Sequence, residues 1–278
     1  MEIKVLGTVS PKCYNNKNCP GYLVSNGNKK ILLDCGNGST KYINSIEELS
    51  NIIIIISHLH HDHWGDLLSL SYDSYVLHNL GILKERVKVY IPEPDFEEKI
   101  ISVYAEPITG FPIPITRKES IIDYEFLSNL GEEQYLEFIT YNEKTKLNVD
   151  DLEIDFSENP HQIRSYSIRV KDKESTIVYS GDTGFKNNTL TNLATNADLL
   201  ICESTYLSTQ PKKLDYHLTT TEAATIAKEA NVKSLLLTHF YPTIEKKEYV
   251  EEAKEIFENT TAAEEGKILK IGVKKWKN

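Results

Sequence analysis

A chain of 278 residues with 31 Lys and Arg against 41 Asp and Glu carries a formal charge of −10; 40% of its residues are hydrophobic and 26% charged. This is ordinary globular composition, which excludes a disordered chain and leaves length enough for one large α/β domain. The acidic balance disfavours loose attraction to nucleic acid or to an anionic membrane, and no apolar run reaches the ~18 residues of a membrane span. In chain order, residues 1–5 read as a strand rather than a basic leader before an apolar segment, so a cytoplasmic protein is expected. Residues 3–7, 22–25 and 30–34 are short β-prone runs divided by Asn/Gly turns. Cys13, Cys19, Cys35 and Cys202 are too sparse for a disulfide framework and read as free thiols. Residues 52–56 are five consecutive isoleucines, a strand buried on both faces that ends in a histidine cluster.

The middle differs in composition. Residues 93–150 hold 13 acidic and 5 basic residues, nearly all the excess charge, together with Phe96, Tyr104, Phe111, Tyr124, Phe126, Tyr135, Phe138 and Tyr141. This stretch reads as a partly helical insertion on a single 1–278 domain, its aromatics serving as core. The last third alternates, with strands expected at 176–180, 199–202 and 235–238. Between the last two, residues 219–230 have helical spacing. Thr219 is placed to cap, Glu222 follows three residues on, and Ala223, Ala224, Ile226 and Ala227 form the apolar stripe. A second helix is expected at 243–258 and a closing strand at 270–273.

Four of the eight histidines fall within six residues, in Ser57-His58-Leu59-His60-His61-Asp62-His63. His58 and His60 are spaced i, i+2, so in extended chain their rings share a side. Asp62 and His63 follow as the strand is left and face a second point. Such a mixture of imidazole and carboxylate suits borderline divalent metals such as zinc. Further candidates sit at strand ends: His161 after Asn159-Pro160, Asp182 in Ser180-Gly181-Asp182-Thr183, and His239 in Leu237-Thr238-His239. With its two oxygens Asp182 is the natural bridge between two ions. His61 and His78 have no partner motif and read as structural or exposed, and Trp64 is expected beside the cluster.

In order and spacing these motifs resemble the metallo-β-lactamase superfamily, and within it the ribonuclease Z and arylsulfatase-like phosphodiesterase branch. The resemblance rests on His-x-His-x-Asp-His, His161, Ser-Gly-Asp-Thr and Leu-Thr-His. It also rests on Leu33-Asp34-Cys35-Gly36-Asn37-Gly38, on Glu203-Ser204-Thr205-Tyr206, and on His217-Leu218-Thr219 leading through Ala223 to His239. It implies that His58, His60 and His161 bind one ion, that Asp62, His63 and His239 bind another, and that Asp182 bridges. His217 would give a proton to the leaving oxygen, oriented by Glu203, and Asp62 would be catalytic as well as a ligand. Asp34 resembles a buried support of the metal loop. One feature departs from ribonuclease Z: Asp182 follows His161 by only 21 positions, too few for its tRNA-gripping arm. An acidic segment elsewhere would repel a phosphate backbone.

The expected architecture is the αβ/βα sandwich, two mixed sheets face to face with helices outside and metals where strand ends converge. The expected activity is that of a metal-dependent hydrolase with two divalent ions, zinc first and manganese or iron as alternatives, cleaving a small or short nucleotide phosphodiester. The other activities weighed are hydrolysis of a sulfate ester, thioester or lactone, tRNA 3′ endonuclease action, and non-catalytic nucleotide binding. The resemblance also implies a homodimer, without membrane attachment or stable tRNA binding.

Overall fold

The computed structural model describes residues 1–43, 46–93, 127, 135–210 and 214–272. Among these, one seven-stranded sheet contains β1 (Glu2–Gly7), β2 (Gly21–Asn26), β3 (Lys29–Leu33), β4 (Ile52–Ile55), β5 (Val87–Pro92), β6 (Leu136–Tyr141) and β14 (Ile268–Lys270), in the order β14-β1-β2-β3-β4-β5-β6. The second contains β7 (Leu147–Val149), β8 (Leu152–Asn159), β9 (Ser165–Lys171), β10 (Thr176–Tyr179), β11 (Leu199–Glu203), β12 (Leu235–Thr238) and β13 (Thr260–Ala262), in the order β13-β12-β11-β10-β9-β8-β7. Each sheet is antiparallel on one side and parallel on the other. The parallel pairs begin at β3–β4 in the first sheet and at β10–β11 in the second. Helices among the described residues include α1 (Ile46–Ser50), α2 (His61–Trp64), α3 (Leu67–Asn79), α4 (Thr189–Leu193), α5 (Thr220–Glu229) and α6 (Lys246–Lys254).

Period-two alternation sets the layers. Ile3, Val5, Tyr22, Val24, Ile31, Leu33 and Ile55 point between the sheets and meet Ile154, Phe156, Tyr166, Ile168 and Val170 of the second sheet. Their sequence neighbours Leu6, Leu23, Leu32, Ile54 and Ile56 point outward, where Trp64, Leu67 and Leu70 cover them. The isoleucine run is therefore hydrophobic throughout because β4 is central and packed on both faces. On the other outer face, Ala223, Ala224, Ile226 and Ala227 of α5 are buried as the stripe predicts. This is the expected αβ/βα sandwich.

Some boundaries differ from expectation. The chain turns at Tyr241 (Ile244 N–H to its carbonyl, 3.2 Å), so α6 starts later than 243. The closing strand is Ile268–Lys270, in register with Lys4–Glu2, and residue 273 lies outside the described residues. Of the segment expected as an insertion, residues 94–126 and 128–134, with Phe96, Tyr104, Phe111, Tyr124 and Phe126, also lie outside them. Its last part is sheet: β6 pairs parallel with β5, and β7 pairs antiparallel with β8. Both are edge strands, whose outward positions keep charges such as Glu137 in water. Tyr141 is core, and its hydroxyl donates to Ile56 O at 2.7 Å. No helix among the described residues is long and apolar enough to cross a membrane.

Candidate metal centre

Both sheets deliver their strand ends to one edge. The chain leaving β4 carries His58 and His60 in extended form, and then α2 turns Asp62 and His63 inward. A single antiparallel bridge joins His58 to Ser165 at the start of β9, and Tyr166 N–H donates to Ser57 O at 3.0 Å, which sews the two sheets together there. His161 follows β8, Asp182 follows β10, Glu203 ends β11 and His239 follows β12. Gly36 lets the loop after β3 lie against this turn, because a Cβ there would come within 2.2 Å of Asp62 O. Gly181 has φ +56°, and a Cβ there would meet Tyr166 O at 2.8 Å. Asp34 (φ 58°) and His239 (φ 60°) adopt the left-handed region without being glycine, so backbone strain gathers around this site.

All seven expected ligands converge. His58 Nε2 lies 3.0 Å from His60 Nδ1, and His161 Nε2 lies 3.2 Å from the same atom. His63 Nε2 and His239 Nε2 are 3.3 Å apart, with Asp62 Oδ2 at 3.6 and 3.7 Å from them. Asp182 stands between the groups with an oxygen for each. Oδ1 faces His239 Nε2 (3.2 Å) and His63 Nε2 (3.4 Å), and Oδ2 faces His58 Nε2 (3.6 Å). The candidate donor atoms of His58, His60, His161 and Asp182 lie within 4.8 Å of one another, as do those of Asp62, His63 and His239.

Two observations show that this set fits metal. Asp182 Oδ1 is buried with no hydrogen-bond partner, which is unfavourable unless a cation answers it. The nitrogen pairs also approach at the edge length of a coordination tetrahedron, which bonds of ~2.0–2.1 Å to zinc put at about 3.3 Å.

Outer partners fix which nitrogen faces inward. Asp34, fully buried, accepts from Ser57 N–H (2.6 Å), Ser57 Oγ (2.8 Å), Tyr179 OH (2.6 Å) and His63 Nδ1 (2.7 Å), so His63 presents Nε2 to the centre. His161 Nδ1 donates to Tyr216 O at 2.8 Å. His239 Nδ1 is 2.9 Å from Thr205 Oγ1, which itself donates to Glu203 Oε2 at 2.6 Å. Ser10 Oγ donates to Asp62 Oδ2 at 2.8 Å, and Asn159 Nδ2 ties down the carbonyls of Ser180 and Asp182.

His217 is different. Its Nδ1 is 3.0 Å from Glu203 Oε1, so that proton is spoken for and Nε2 is the ring nitrogen left for other chemistry. Its Nδ1 is also 3.8 Å from Asp182 Oδ2, but a nitrogen donating to Glu203 offers no lone pair to a metal. Burial opposes a charge on His217, yet the Glu203 carboxylate outweighs it and lifts the pKa to about 9. Burial and neighbouring histidines press His58 well below its usual range, and His60 to about 4. Burial likewise lowers His161. Burial resists ionising Asp182, but His239, His63 and His58 around it hold it well below the carboxylate range. Neutral imidazoles and ionised carboxylates are the ligand forms that bind metal.

Of the residues left over in the sequence, His61 is exposed, and His78 stacks on Tyr135 with 3.5 Å between ring centroids. Trp64 is buried beside the cluster, donating to Leu59 O. Sequence reasoning did not assign Ser10, Ser57, Tyr179 or Thr205. Ser57 and Tyr179 sit beside motif residues and carried some signal, whereas Ser10 reaches Asp62 from 52 positions away and carried none.

Known proteins share the family and the fold. The family model described as the metallo-beta-lactamase superfamily matches residues 15–77, and the beta-lactamase superfamily domain matches residues 116–240. A probable metallo-hydrolase, YhfI of Bacillus subtilis, is 25% identical over 86% of each chain, and its crystal structure superposes with a TM-score of 0.80 at 24% identity, covering 96% of this chain and 98% of that one. Ribonuclease Z of Clostridium perfringens is 28% identical over 99% of this chain and 100% of its own. The short form of human tRNase Z shares the fold with a TM-score of 0.69 at 20% identity, covering 98% and 100%. With both models matching and relatives aligned over nearly its whole length, the chain belongs to the metallo-β-lactamase superfamily.

Proposed function

We propose that this protein is a metal-dependent hydrolase working with two divalent ions, zinc foremost, and cleaving phosphodiesters of small or short nucleotide substrates. His58, His60, His161 and Asp182 would hold one ion, and Asp62, His63, His239 and Asp182 the other. Bound cations supply charge to the phosphoryl oxygens and acidify the attacking water.

The observation that carries the choice of bond is the His217–Glu203 pair, 3.0 Å apart beside the ligands. Glu203 is held by Thr183 N–H (2.9 Å) and Thr205 Oγ1 (2.6 Å), so it cannot turn away from His217. His217 therefore keeps Nδ1–H on Glu203 and offers a second proton from Nε2. An alkoxide leaving group needs such a donor. A thiolate, whose conjugate acid has a pKa near ~8.5, does not. The resemblance to ribonuclease Z supports a phosphodiester, and the 20 residues between His161 and Asp182, filled by β9 and β10, leave no room there for a tRNA-gripping arm.

The test is turnover of bis(p-nitrophenyl) phosphate with added Zn²⁺ or Mn²⁺, beside a dinucleotide. His217→Ala is expected to lose about 10²–10⁴-fold on the dinucleotide. It should lose far less on the nitrophenyl ester, whose leaving group needs no proton. An inert metal-loaded protein, or full activity in Asp182→Ala, would overturn the reading. Four free cysteines support a reducing cytoplasm. The homodimer rests on the resemblance, and light scattering checks it.

A further inference from the structure

The ligand cluster is not equally enclosed. Asp62, His63, Asp182, His58 and His239 are buried, whereas His60, His161 and His217 are only partly so and mark the mouth. Two tyrosines flank that mouth on the His217 side. The Tyr216 ring lies 5.3 Å from His217 and 5.5 Å from His161 by centroid, and the Tyr206 ring lies 6.2 Å from His217. Both sit on fixed backbone. Tyr206 N–H donates to Leu218 O, and its carbonyl accepts from Thr220 N–H at 2.8 Å. The Tyr216 carbonyl accepts from His161 Nδ1. A second observation points the same way. Phe185, three residues past Asp182, and Tyr241, two past His239, stand 47% and 44% exposed. Aromatics exposed two and three residues from ligand positions add apolar surface to the loops that carry those ligands.

The geometry points to Tyr206 and Tyr216 as specificity residues that seat a flat aromatic group, an aryl ring or nucleobase, on the leaving alcohol. This rests on the proposed hydrolysis. If His217 protonates the leaving oxygen, whatever that oxygen carries must run past the two tyrosine rings beside His217. Tyrosine rings present a rigid face with few torsions to immobilise, and stacking accepts any base. The attacking side, at His60, has no such pair among the described residues.

The experiment compares benzyl methyl phosphate with cyclohexylmethyl methyl phosphate. Their leaving alcohols are similar in bulk and close in acidity, and only one has a π-face. Relative kcat/KM is read by chromatography of the released alcohol, and each diester is also tested as a competitor of bis(p-nitrophenyl) phosphate. The wild-type protein should favour the benzyl ester by about tenfold or more in kcat/KM or in inhibition constant. Tyr206→Leu with Tyr216→Leu should bring that ratio close to one at unchanged metal content. Tyr206→Phe with Tyr216→Phe should keep it. Equal handling of the two esters by the wild type, or a preference that survives both leucines, overturns this role of the two tyrosines while hydrolysis stands. No hydrolysis of bis(p-nitrophenyl) phosphate overturns the function and this role together.

Discussion

Asp34 is not among the ligands, yet it accepts four hydrogen bonds within 2.8 Å, one of them from the ligand His63, whose ring it aims. Asp34→Asn replaces one acceptor oxygen with a donor that faces donors. Metal affinity measured by competition with a chromogenic chelator is expected to fall 10–100-fold, and unchanged affinity would show that His63 needs no such support. Glu203 acts on His217 by charge. In the chelated protein His217 is protonated up to about pH 9, whereas unfolded histidine loses its proton near ~6.5. Because the folded pKa is the higher one, this stabilisation is complete below about 6.5 and disappears as pH rises through about 9. Glu203→Gln removes it. The stability gap between wild type and variant, read from urea midpoints without metal, should therefore be widest near pH 6 and narrow by pH 9.5. An NMR titration should place the His217 proton loss below 9 in the variant. The ligands themselves were legible in the sequence because imidazoles two apart on an extended exit, or single ones after apolar runs, can face only a few places. Ser10 and Thr205 were not, since a hydroxyl's role depends on which distant loop it meets.

At the scale of elements, the clearest local signal was the start of α5. Thr219 Oγ1 accepts from Glu222 N–H and the Glu222 carboxylate accepts from Thr219 N–H at 2.8 Å, a complete capping box two residues after His217. Thr219→Ala is expected to lower stability by about 1 kcal/mol in urea unfolding. Because the cap also anchors the His217 loop, kcat on an alkyl diester should fall more than metal content does. A variant as stable as wild type would show that tertiary packing alone holds this end. Strand β4 was equally legible, for a run of isoleucines fits only a position covered on both faces. The edge strands β6 and β7 were not. Charges such as Glu137 alternate there with buried residues such as Leu136, and within an acidic, aromatic stretch that pattern resembles added material. Short edge strands owe their pairing to neighbours far along the chain, β5 from 49 residues upstream in the case of β6, which no local window reveals.

Taken as a whole, the molecule is two sheets whose ligands come from both sides. His58, His60, Asp62 and His63 leave the first sheet, and His161, Asp182 and His239 leave the second. Besides the core between them, the sheets are joined at this edge by a few hydrogen bonds, from Tyr166 N–H to Ser57 O beside the bridge at His58, from Tyr179 OH to Asp34, and from Phe240 N–H to Thr8 O beside the bridge from Val9 to Phe240. Bound ions would therefore act as a clamp as well as a reagent. A ligand that binds only the folded state stabilises it by about 4 kcal/mol when present at ~1,000 times its dissociation constant. For a domain of this size each kcal/mol moves the midpoint by roughly 2–4 °C. Removing metal with EDTA should thus lower the calorimetric Tm by roughly 8–16 °C, and Zn²⁺ should restore it. The two sheets must also lose their common edge together. Hydrogen exchange in the chelated protein should rise at Ser57–His63 and at Ser180–Thr183 in step, while β4 and β11, deep in the core, stay protected. His161→Ala, lacking one ligand of the more open group, should show a smaller rise in Tm on zinc addition. A Tm indifferent to EDTA, in protein shown to contain metal beforehand, would mean the ions bridge nothing that holds the fold together.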